Sequence, residues 1–240
     1  MAPRPLDPRP TAVIFDLDDT LCDYAAARKA RLRRAFTLSP CAITSGEAID
    51  LDRMIAESFQ MHPHGADHFA ELFARFGITD EGAASAAADW YRKNRFHGLR
   101  LFPETEAVFS TVRNAVADHC SKAARPIGIV TNGPAEVQHA KLELLGIDRL
   151  VDFVLVSEEF GVSKPDPQIF REALRLAGVA AEDAVFVGDS AEFDIAGAQA
   201  AGIPTVWVNP DRRSWIGPGR LPTRQIRTLA ELPQLVGAVA

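Results

Sequence analysis

Two aspartates, Asp16 and Asp18, directly follow the apolar run of residues 12–15, with a threonine and a leucine completing the motif Asp-Leu-Asp-Asp-Thr-Leu. Carboxylates crowded together without a basic neighbour repel one another unless a cation offsets their charge. Because side chains alternate along a strand, a strand that continues through both aspartates would project them from one face. Oxygen donors of this kind suit a hard cation, so the motif predicts a cation-assisted reaction on an anionic substrate.

Three later segments place other polar groups where strands are predicted to end. Thr131 and Asn132 precede a glycine, Lys164 lies in a loop stiffened by two prolines, and Asp189 precedes Asp194 by five residues. A hydroxyl and backbone N–H groups at a strand-to-helix turn can hold phosphate oxygens. Helix capping could explain one aspartate, but not four strand ends that carry acids, a hydroxyl and a lysine in turn. These groups predict one site at the carboxyl edge of a sheet.

The elements that would position these groups are short apolar runs alternating with helical segments. Glycines follow three of the helical segments, where a left-handed C-cap is expected. This alternation predicts an α/β protein with a parallel sheet and right-handed crossovers. The expected strands are Thr11–Asp18, Pro126–Asn132, Phe153–Ser157, Ala184–Gly188 and Pro204–Asn209, and the expected helices are Pro134–Leu145, Pro167–Ala177 and Glu192–Ala201.

The first strand breaks the alternation, because about 80 residues of helical pattern separate it from the second. In this stretch Phe69, Leu72, Phe73 and Phe76 fall on one helix face, which predicts a buried core rather than a ligand site. We therefore expect a helical domain inserted into the sheet domain. The predicted boundaries are a flexible tail at residues 1–10, a sheet core at 11–21 and 101–240, and the helical domain at 22–100.

The inserted segment also carries charged groups with two interpretations each. The run Arg28–Arg34 holds five cations, which favours a solvated helix face over a contact to an anionic substrate. His62, His64 and His68 lie near Asp67, but their spacing favours a solvated loop over a zinc site.

Composition restricts the partners and the compartment. The net charge of −6 argues against a nucleic acid or an anionic membrane as the main partner, and no apolar run approaches the roughly 20 residues that span a bilayer. The N-terminal residues lack the apolar region of a signal peptide. Cys22, Cys41 and Cys120 form no CxxC pair, which favours a reduced, cytoplasmic setting. Cys22 is interpreted as a buried thiol rather than a catalytic one.

Taken in order, Asp-x-Asp-x-Thr-Leu, Thr-Asn-Gly, Ser-Lys-Pro-Asp-Pro and Gly-Asp-Ser-x-x-x-Asp resemble the four motifs of the haloacid dehalogenase (HAD) superfamily, in the branch with a helical cap after the first motif. The resemblance covers Thr11 to about Asn209, and it departs from many relatives at Phe193, where they have Asn. It implies a Rossmann-like parallel-sheet core with an inserted α-helical cap domain that acts as a lid over the active site.

The resemblance also implies a role for each motif residue. Asp16 would be the nucleophile that forms an aspartyl-phosphate, and Asp18 the general acid and base. Lys164 would pair with Asp16 and with the transferring phosphoryl group, whose oxygens Thr131 and Asn132 would hold. Mg²⁺ would be held by Asp16, Asp189 and the backbone carbonyl of Asp18, and Asp194 would orient a metal-bound water.

These roles predict a Mg²⁺-dependent phosphatase of small-molecule phosphate monoesters, acting as a monomer or homodimer. A nucleoside 5′-monophosphate is the favoured substrate, as in pyrimidine 5′-nucleotidases, with phosphoglycolate, acylneuraminate phosphate or another sugar phosphate as alternatives. A 2-haloacid dehalogenase is less favoured because it needs no acid at Asp18. A phosphomutase, a phospho-receiver signalling domain and a catalytically silent scaffold are the remaining alternatives.

Overall fold

The computed structural model describes residues 5–38, 50–61, 67–114 and 126–237. The chain divides into two compact units, one made of Met1–Asp23 with Leu101–Ala240 and the other of Tyr24–Arg100. The second unit thus starts two residues later than the boundary expected from the sequence. In the described ranges, no helix is long and apolar enough to cross a membrane.

The first unit alternates strands and helices, and the second is helical. The strands are β1 (Ala12–Phe15), β2 (Ile127–Thr131), β3 (Phe153–Val156), β4 (Ala184–Gly188), β5 (Thr205–Val208) and β6 (Arg224–Ile226). The helices of the first unit are α5 (Thr105–Asn114), α6 (Ala135–Leu145), α7 (Ser157–Phe160), α8 (Pro167–Ala177), α9 (Gly197–Ala200) and α10 (Leu232–Leu235). Those of the second are α1 (Tyr24–Thr37), α2 (Leu51–Gln60), α3 (His68–Arg75) and α4 (Glu81–Lys93).

The six strands form one parallel sheet in the order β3-β2-β1-β4-β5-β6. Strands β1, β2, β4 and β5 are fully buried, as expected for a sheet covered by helices on both faces. The strand order reverses direction at β1, which places the end of β1 beside the ends of β2 and β4. The predicted α/β fold with a Rossmann-like parallel sheet is therefore confirmed, and β6 is a short edge strand that the apolar pattern does not reveal.

The first strand ends earlier than the sequence suggested. Strand β1 stops at Phe15, so Asp16 and Asp18 do not lie on one face of a strand. The chain instead turns, with Asp19 in the left-handed region at φ 60° and its N–H donating to the Cys22 carbonyl. An aspartate tolerates this conformation better than most residues, because its short side chain can bond locally. The turn, rather than strand alternation, sets the directions of the two acids.

The N-terminal residues that the structure describes are attached to the sheet unit. Leu6 is buried, and its N–H donates to the carbonyl of Leu235 at 2.7 Å. The carbonyl of Pro5 accepts a hydrogen bond from Arg224 at 3.0 Å. The tail expected to be flexible at residues 1–10 thus has contacts to the sheet unit at Pro5 and Leu6.

The helical unit buries the predicted aromatic stripe. Phe69, Leu72 and Phe73 are buried in one cluster, and Phe76 is packed against it. The interpretation of the stripe as core is confirmed. His68 of the same helix is buried, with its Nε2 2.9 Å from the hydroxyl of Ser58, so the solvated loop predicted for the histidines is wrong at His68. His62 and His64 lie outside the described residues.

The basic run is only partly a solvated face. Arg31 is buried with its guanidinium 3.7 Å from the ring centroid of Tyr91, and Arg28 lies 4.1 Å from the centroid of Phe59. Stacking of arginine on an aromatic face is favourable and lets a long cation pack inside a helical bundle. Two of the five cations therefore help to hold the helical unit together.

Candidate active site

A buried lysine joins two buried aspartates at the carboxyl edge of the sheet. The Nζ of Lys164 donates to Oδ1 of Asp16 at 2.5 Å and to Oδ1 of Asp194 at 2.7 Å, and these three residues are 4 %, 7 % and 1 % exposed. The same ammonium donates to the carbonyl of Val130 at 3.1 Å. All three protons of the lysine are thus used, which fixes the Asp16 carboxylate in one orientation.

Burial and mutual repulsion shift the protonation of these groups. Burial raises the pKa of Asp16 well above its ordinary value, the nearby carboxylates of Asp194 and Asp189 raise it further, and Lys164 opposes this shift. For Lys164, burial by itself lowers the pKa, but Asp16 and Asp194 outweigh it and the net shift is upward. Lys164 is therefore held as an ammonium ion, and its charge partly offsets the cost of ionising Asp16 in a dry site.

The segment after β4 brings Asp194 into contact with this lysine. Residues Ala191–Ala196 form a π-helical turn, in which the N–H of Ile195 donates to the carbonyl of Ser190. Such turns are often found at functional sites. A Cβ atom on Gly188 would lie 2.5 Å from the Asp194 side chain, so this close approach requires glycine. The helix predicted at Glu192–Ala201 is therefore this π turn followed by the short α9.

Three carboxylates at this edge form a candidate cation site. Asp16, Asp189 and Asp194 each offer one oxygen, and these oxygens lie within 4.8 Å of one another. One ammonium, that of Lys164, touches two of the three acids, so the cluster retains excess negative charge. Carboxylate oxygens are donors for hard divalent cations. The predicted ligands Asp16 and Asp189 and the predicted positioning residue Asp194 are thus together, and the cluster is compatible with a metal.

Asp189 provides a test of this excess charge. Burial raises its pKa to about 7, with contributions from Asp194 and Asp19, while Lys164 and Arg213 oppose the shift. The pKa of Asp189 in the folded protein exceeds its value of about 3.9 in the unfolded chain. Asp189 therefore contributes to the free energy of unfolding below pH ~4, and this contribution is lost as the pH rises through about 7. In EDTA, we expect Asp189→Asn to exceed the wild type in stability by a few kcal/mol at pH 8. The difference should vanish near pH 4 in denaturant unfolding.

The matched control for this prediction is Glu192→Gln, which removes an exposed carboxylate three residues away. Its unfolding free energy should change by no more than about 0.5 kcal/mol. A wild type that matches Asp189→Asn at every pH would show that the cluster carries no uncompensated charge.

Asn132 and Thr131 hold other parts of the site together. The side-chain amide of Asn132 donates to the carbonyl of Lys164 and accepts from its N–H, both at 2.9 Å. This pair fixes the backbone of the lysine loop on the end of β2. The hydroxyl oxygen of Thr131 is buried and accepts from Gln138 at 2.5 Å. Asn132 thus has a structural contact that the sequence analysis did not foresee, beside its predicted contact to phosphate.

Asp18 is held apart from the carboxylate cluster by two residues that the sequence analysis missed. Its Oδ2 accepts from Nζ of Lys141 at 2.6 Å and from Nε2 of Gln138 at 3.4 Å. Both donors are buried and lie three residues apart on α6, so they share one helix face. The only available signal was the position of a glutamine and a lysine, one and two turns respectively into the helix that follows the Thr-Asn-Gly motif.

Cys22 and Phe193 take no visible part in this chemistry. Burial raises the pKa of the Cys22 thiol far above its ordinary value, with a further contribution from Asp18, so the thiol stays protonated. The interpretation of Cys22 as a buried thiol is confirmed, whereas Cys41 and Cys120 lie outside the described residues. Phe193 is 46 % exposed, so the replacement of the usual asparagine places an aromatic ring at the surface.

Comparisons with known proteins agree with this geometry. The profile of a family described as haloacid dehalogenase-like hydrolase matches residues 10–202. A glyceraldehyde 3-phosphate phosphatase of Methanopyrus kandleri is 36 % identical over 81 % of this chain and 82 % of its own. A ribulose-1,5-bisphosphate 5-phosphatase of Halopiger xanaduensis is 32 % identical over 94 % of this chain and 99 % of its own.

Among solved structures, the putative HAD-hydrolase YfnB of Bacillus subtilis, described as bound to magnesium, superposes with a TM-score of 0.75 at 26 % identity. The superposition covers 95 % of this chain and 99 % of that one. The sheet order and the four strand-end motifs define a hydrolase of the α/β class. The chain belongs to the haloacid dehalogenase-like hydrolase family, and the predicted enzyme class, phosphoric monoester hydrolase, agrees with the named relatives.

Proposed function

We propose that this hydrolase removes phosphate from small-molecule phosphate monoesters through an aspartyl-phosphate on Asp16. The observation that carries the proposal is a buried carboxylate, fixed 2.5 Å from a buried lysine, with a second aspartate two residues later that is held by other partners. One acid is thus set up to attack, and the other is free of the carboxylate cluster to exchange a proton. This division of roles between two carboxylates is what stepwise phosphoryl transfer needs.

In the first half-reaction, an oxygen of Asp16 attacks phosphorus and the bond from phosphorus to the leaving oxygen breaks. The departing oxygen takes the electron pair of that bond and a proton from Asp18, so the alcohol leaves neutral. In the second half-reaction, Asp18 takes a proton from the water that attacks the aspartyl-phosphate. Inorganic phosphate leaves and Asp16 is regenerated.

The remaining residues neutralise and hold the phosphoryl group. Lys164 offers its ammonium beside Asp16, and Thr131 and Asn132 offer donors to the equatorial oxygens. Asp16, Asp189 and the backbone carbonyl of Asp18 would hold Mg²⁺, with Asp194 orienting its water. When bound, Mg²⁺ supplies positive charge that lets an anionic carboxylate approach an anionic phosphate.

Phosphorylated small sugars are the substrate class that we propose. Two relatives that align over most of this chain are phosphatases of glyceraldehyde 3-phosphate and of ribulose-1,5-bisphosphate. Their shared substrate chemistry is a primary phosphate ester on a short hydroxylated chain that carries a carbonyl group. The preference for a nucleoside 5′-monophosphate stays a prediction, and nucleotides form the competing arm of the test. The cytoplasmic location and the oligomeric state also stay predictions.

The experiment that tests the proposal is phosphate release from a substrate panel, with EDTA and with added Mg²⁺. The panel contains triose and pentose phosphates, an acylneuraminate phosphate, phosphoglycolate, nucleoside 5′-monophosphates and p-nitrophenyl phosphate. We expect release with Mg²⁺, a loss on the order of 10³-fold or more in EDTA, and the highest kcat/KM for a sugar phosphate. Mg²⁺ should also raise the melting temperature of the wild type but not of Asp189→Asn.

The outcomes separate the alternatives. Release that persists unchanged in EDTA would contradict the metal site, and a nucleotide with the highest kcat/KM would contradict the sugar phosphate class. No release from any phosphate, together with halide release from a 2-haloacid, would replace the phosphatase with a dehalogenase. Transfer of phosphate between positions of a sugar bisphosphate would indicate a mutase.

A further inference from the structure

Lys141 forms an ion pair with Asp18 at the site, and packing alone does not explain why this lysine is buried there. Lys141 is 4 % exposed, and burying an ammonium ion is costly unless a partner compensates it. Its Nζ lies 2.6 Å from Oδ2 of Asp18, whose side chain is still 25 % exposed. The lysine thus reaches from the interior of the sheet unit to the acid that must face a substrate.

Gln138 connects the same acid to the phosphate-binding strand end. Its Nε2 lies 3.4 Å from Oδ2 of Asp18, 2.5 Å from the hydroxyl of Thr131 and 2.8 Å from the carbonyl of Asn132. Because one amide nitrogen touches all three groups, helix α6 fixes the distance between Asp18 and the predicted phosphate site. A proton donor works only when it is held within hydrogen-bonding reach of the oxygen that it protonates.

We propose that Lys141, assisted by Gln138, is a positioning residue that holds Asp18 in the orientation needed for proton transfer to the leaving oxygen. This inference rests on the proposed phosphatase function. Both α6 contacts use Oδ2 of Asp18, so a proton carried on Oδ1 leaves them intact. The thiol of Cys22 approaches Oδ1 at 3.7 Å, which is a weak contact that a leaving oxygen can replace. Lys141 contacts neither the bond that Asp16 forms to phosphorus nor the bond to the leaving oxygen, so it acts through Asp18.

The test compares two substrates that differ in their need for a proton. An alkyl phosphate such as glycerol 3-phosphate expels a strongly basic alkoxide, whereas 2,4-dinitrophenyl phosphate expels a stable phenolate without a proton. Values of kcat/KM report the steps up to departure of the leaving group, so the second half-reaction does not obscure them. For Lys141→Met we expect kcat/KM to fall on the order of 10²-fold with the alkyl ester and less than about threefold with the dinitrophenyl ester.

Three further variants make the result specific. Lys141→Arg should recover most of the lost alkyl-ester activity, because it keeps a cation near Oδ2. In an Asp18→Asn background, Lys141→Met should cause no further loss, since the group that it positions is gone. Lys93→Met, which removes an exposed lysine from α4, should leave both kcat/KM values unchanged. Circular dichroism and melting temperature verify that each variant is folded.

Each outcome decides between distinct conclusions. An equal loss with both esters that persists in the Asp18→Asn background would overturn the inference and make Lys141 a direct contact to the phosphate. A Lys141→Met protein that is folded and fully active on the alkyl ester would also overturn it. A wild type that releases phosphate from no ester of the substrate panel would reject the proposed phosphatase and the inference with it, which separates that failure from a failure of Lys141 alone.

Discussion

Asp16→Asn is expected to lower phosphate release on the order of 10⁴-fold or more, because an amide cannot form the aspartyl-phosphate. The variant should fold at least as well as the wild type. Burial, together with Asp194 and Asp189, raises the pKa of Asp16 against the opposing charge of Lys164, so removal of the carboxylate charge relieves the burial cost and the repulsion. Lys164 retains its ion pair with Asp194 at 2.7 Å, so the ammonium is not left alone.

Phosphate release with the preferred ester and Mg²⁺, together with denaturant unfolding, checks both parts of this prediction. Asp16→Ala is measured in parallel, since deamidation of an asparagine could regenerate the nucleophile and imitate residual activity. Asp148→Asn, at an exposed aspartate of the sheet unit, is the matched control and should keep full activity. Substantial turnover in both Asp16 variants would reject the nucleophile.

The residues predicted from the sequence are those whose position follows from where a strand ends. Asp16 and Asp189 each come directly after a buried strand, Thr131 is the last residue of another, and parallel strands bring such residues to one edge. Their proximity therefore needs only the strand assignments and the sheet order. The carboxylate cluster of Asp16, Asp189 and Asp194 is compatible with what the motifs implied, including the approach of Asp194, five residues after Asp189.

Lys141 and Gln138 could not be predicted in this way, because they lie in the middle of a helix. Whether a helical lysine faces solvent or a buried acid depends on how the helix packs, and composition favours solvent. Arg31 shows the same limit in the helical unit, where its burial depends on Tyr91, which lies on a different helix. A run of cations in a sequence therefore indicates charge but not exposure.

Loss of the Lys164 side chain should damage stability and activity together. In Lys164→Met, Asp16 and Asp194 remain buried without the ammonium that contacts both, and breaking a buried ion pair from one side costs roughly 3–5 kcal/mol. The lysine loop should stay in place, because Asn132 holds it through the backbone N–H and carbonyl of residue 164. The expected destabilisation is therefore electrostatic rather than a collapse of the loop.

The pH dependence identifies this cause. Without Lys164 the pKa of Asp16 in the folded protein rises further above the unfolded value, because the ammonium that now opposes the shift is gone. A carboxyl group with a raised pKa contributes stability that is lost as the pH increases. In EDTA, the difference in the free energy of unfolding between Lys164→Met and the wild type should therefore be largest above neutral pH and decrease towards pH 4. Removing one acid as well, in Lys164→Met with Asp194→Asn, should restore part of the stability without restoring activity. The charge balance argued for the site would be wrong if this difference in the free energy of unfolding were constant with pH and increased on adding Asp194→Asn. Lys164 would then stabilise the protein by packing.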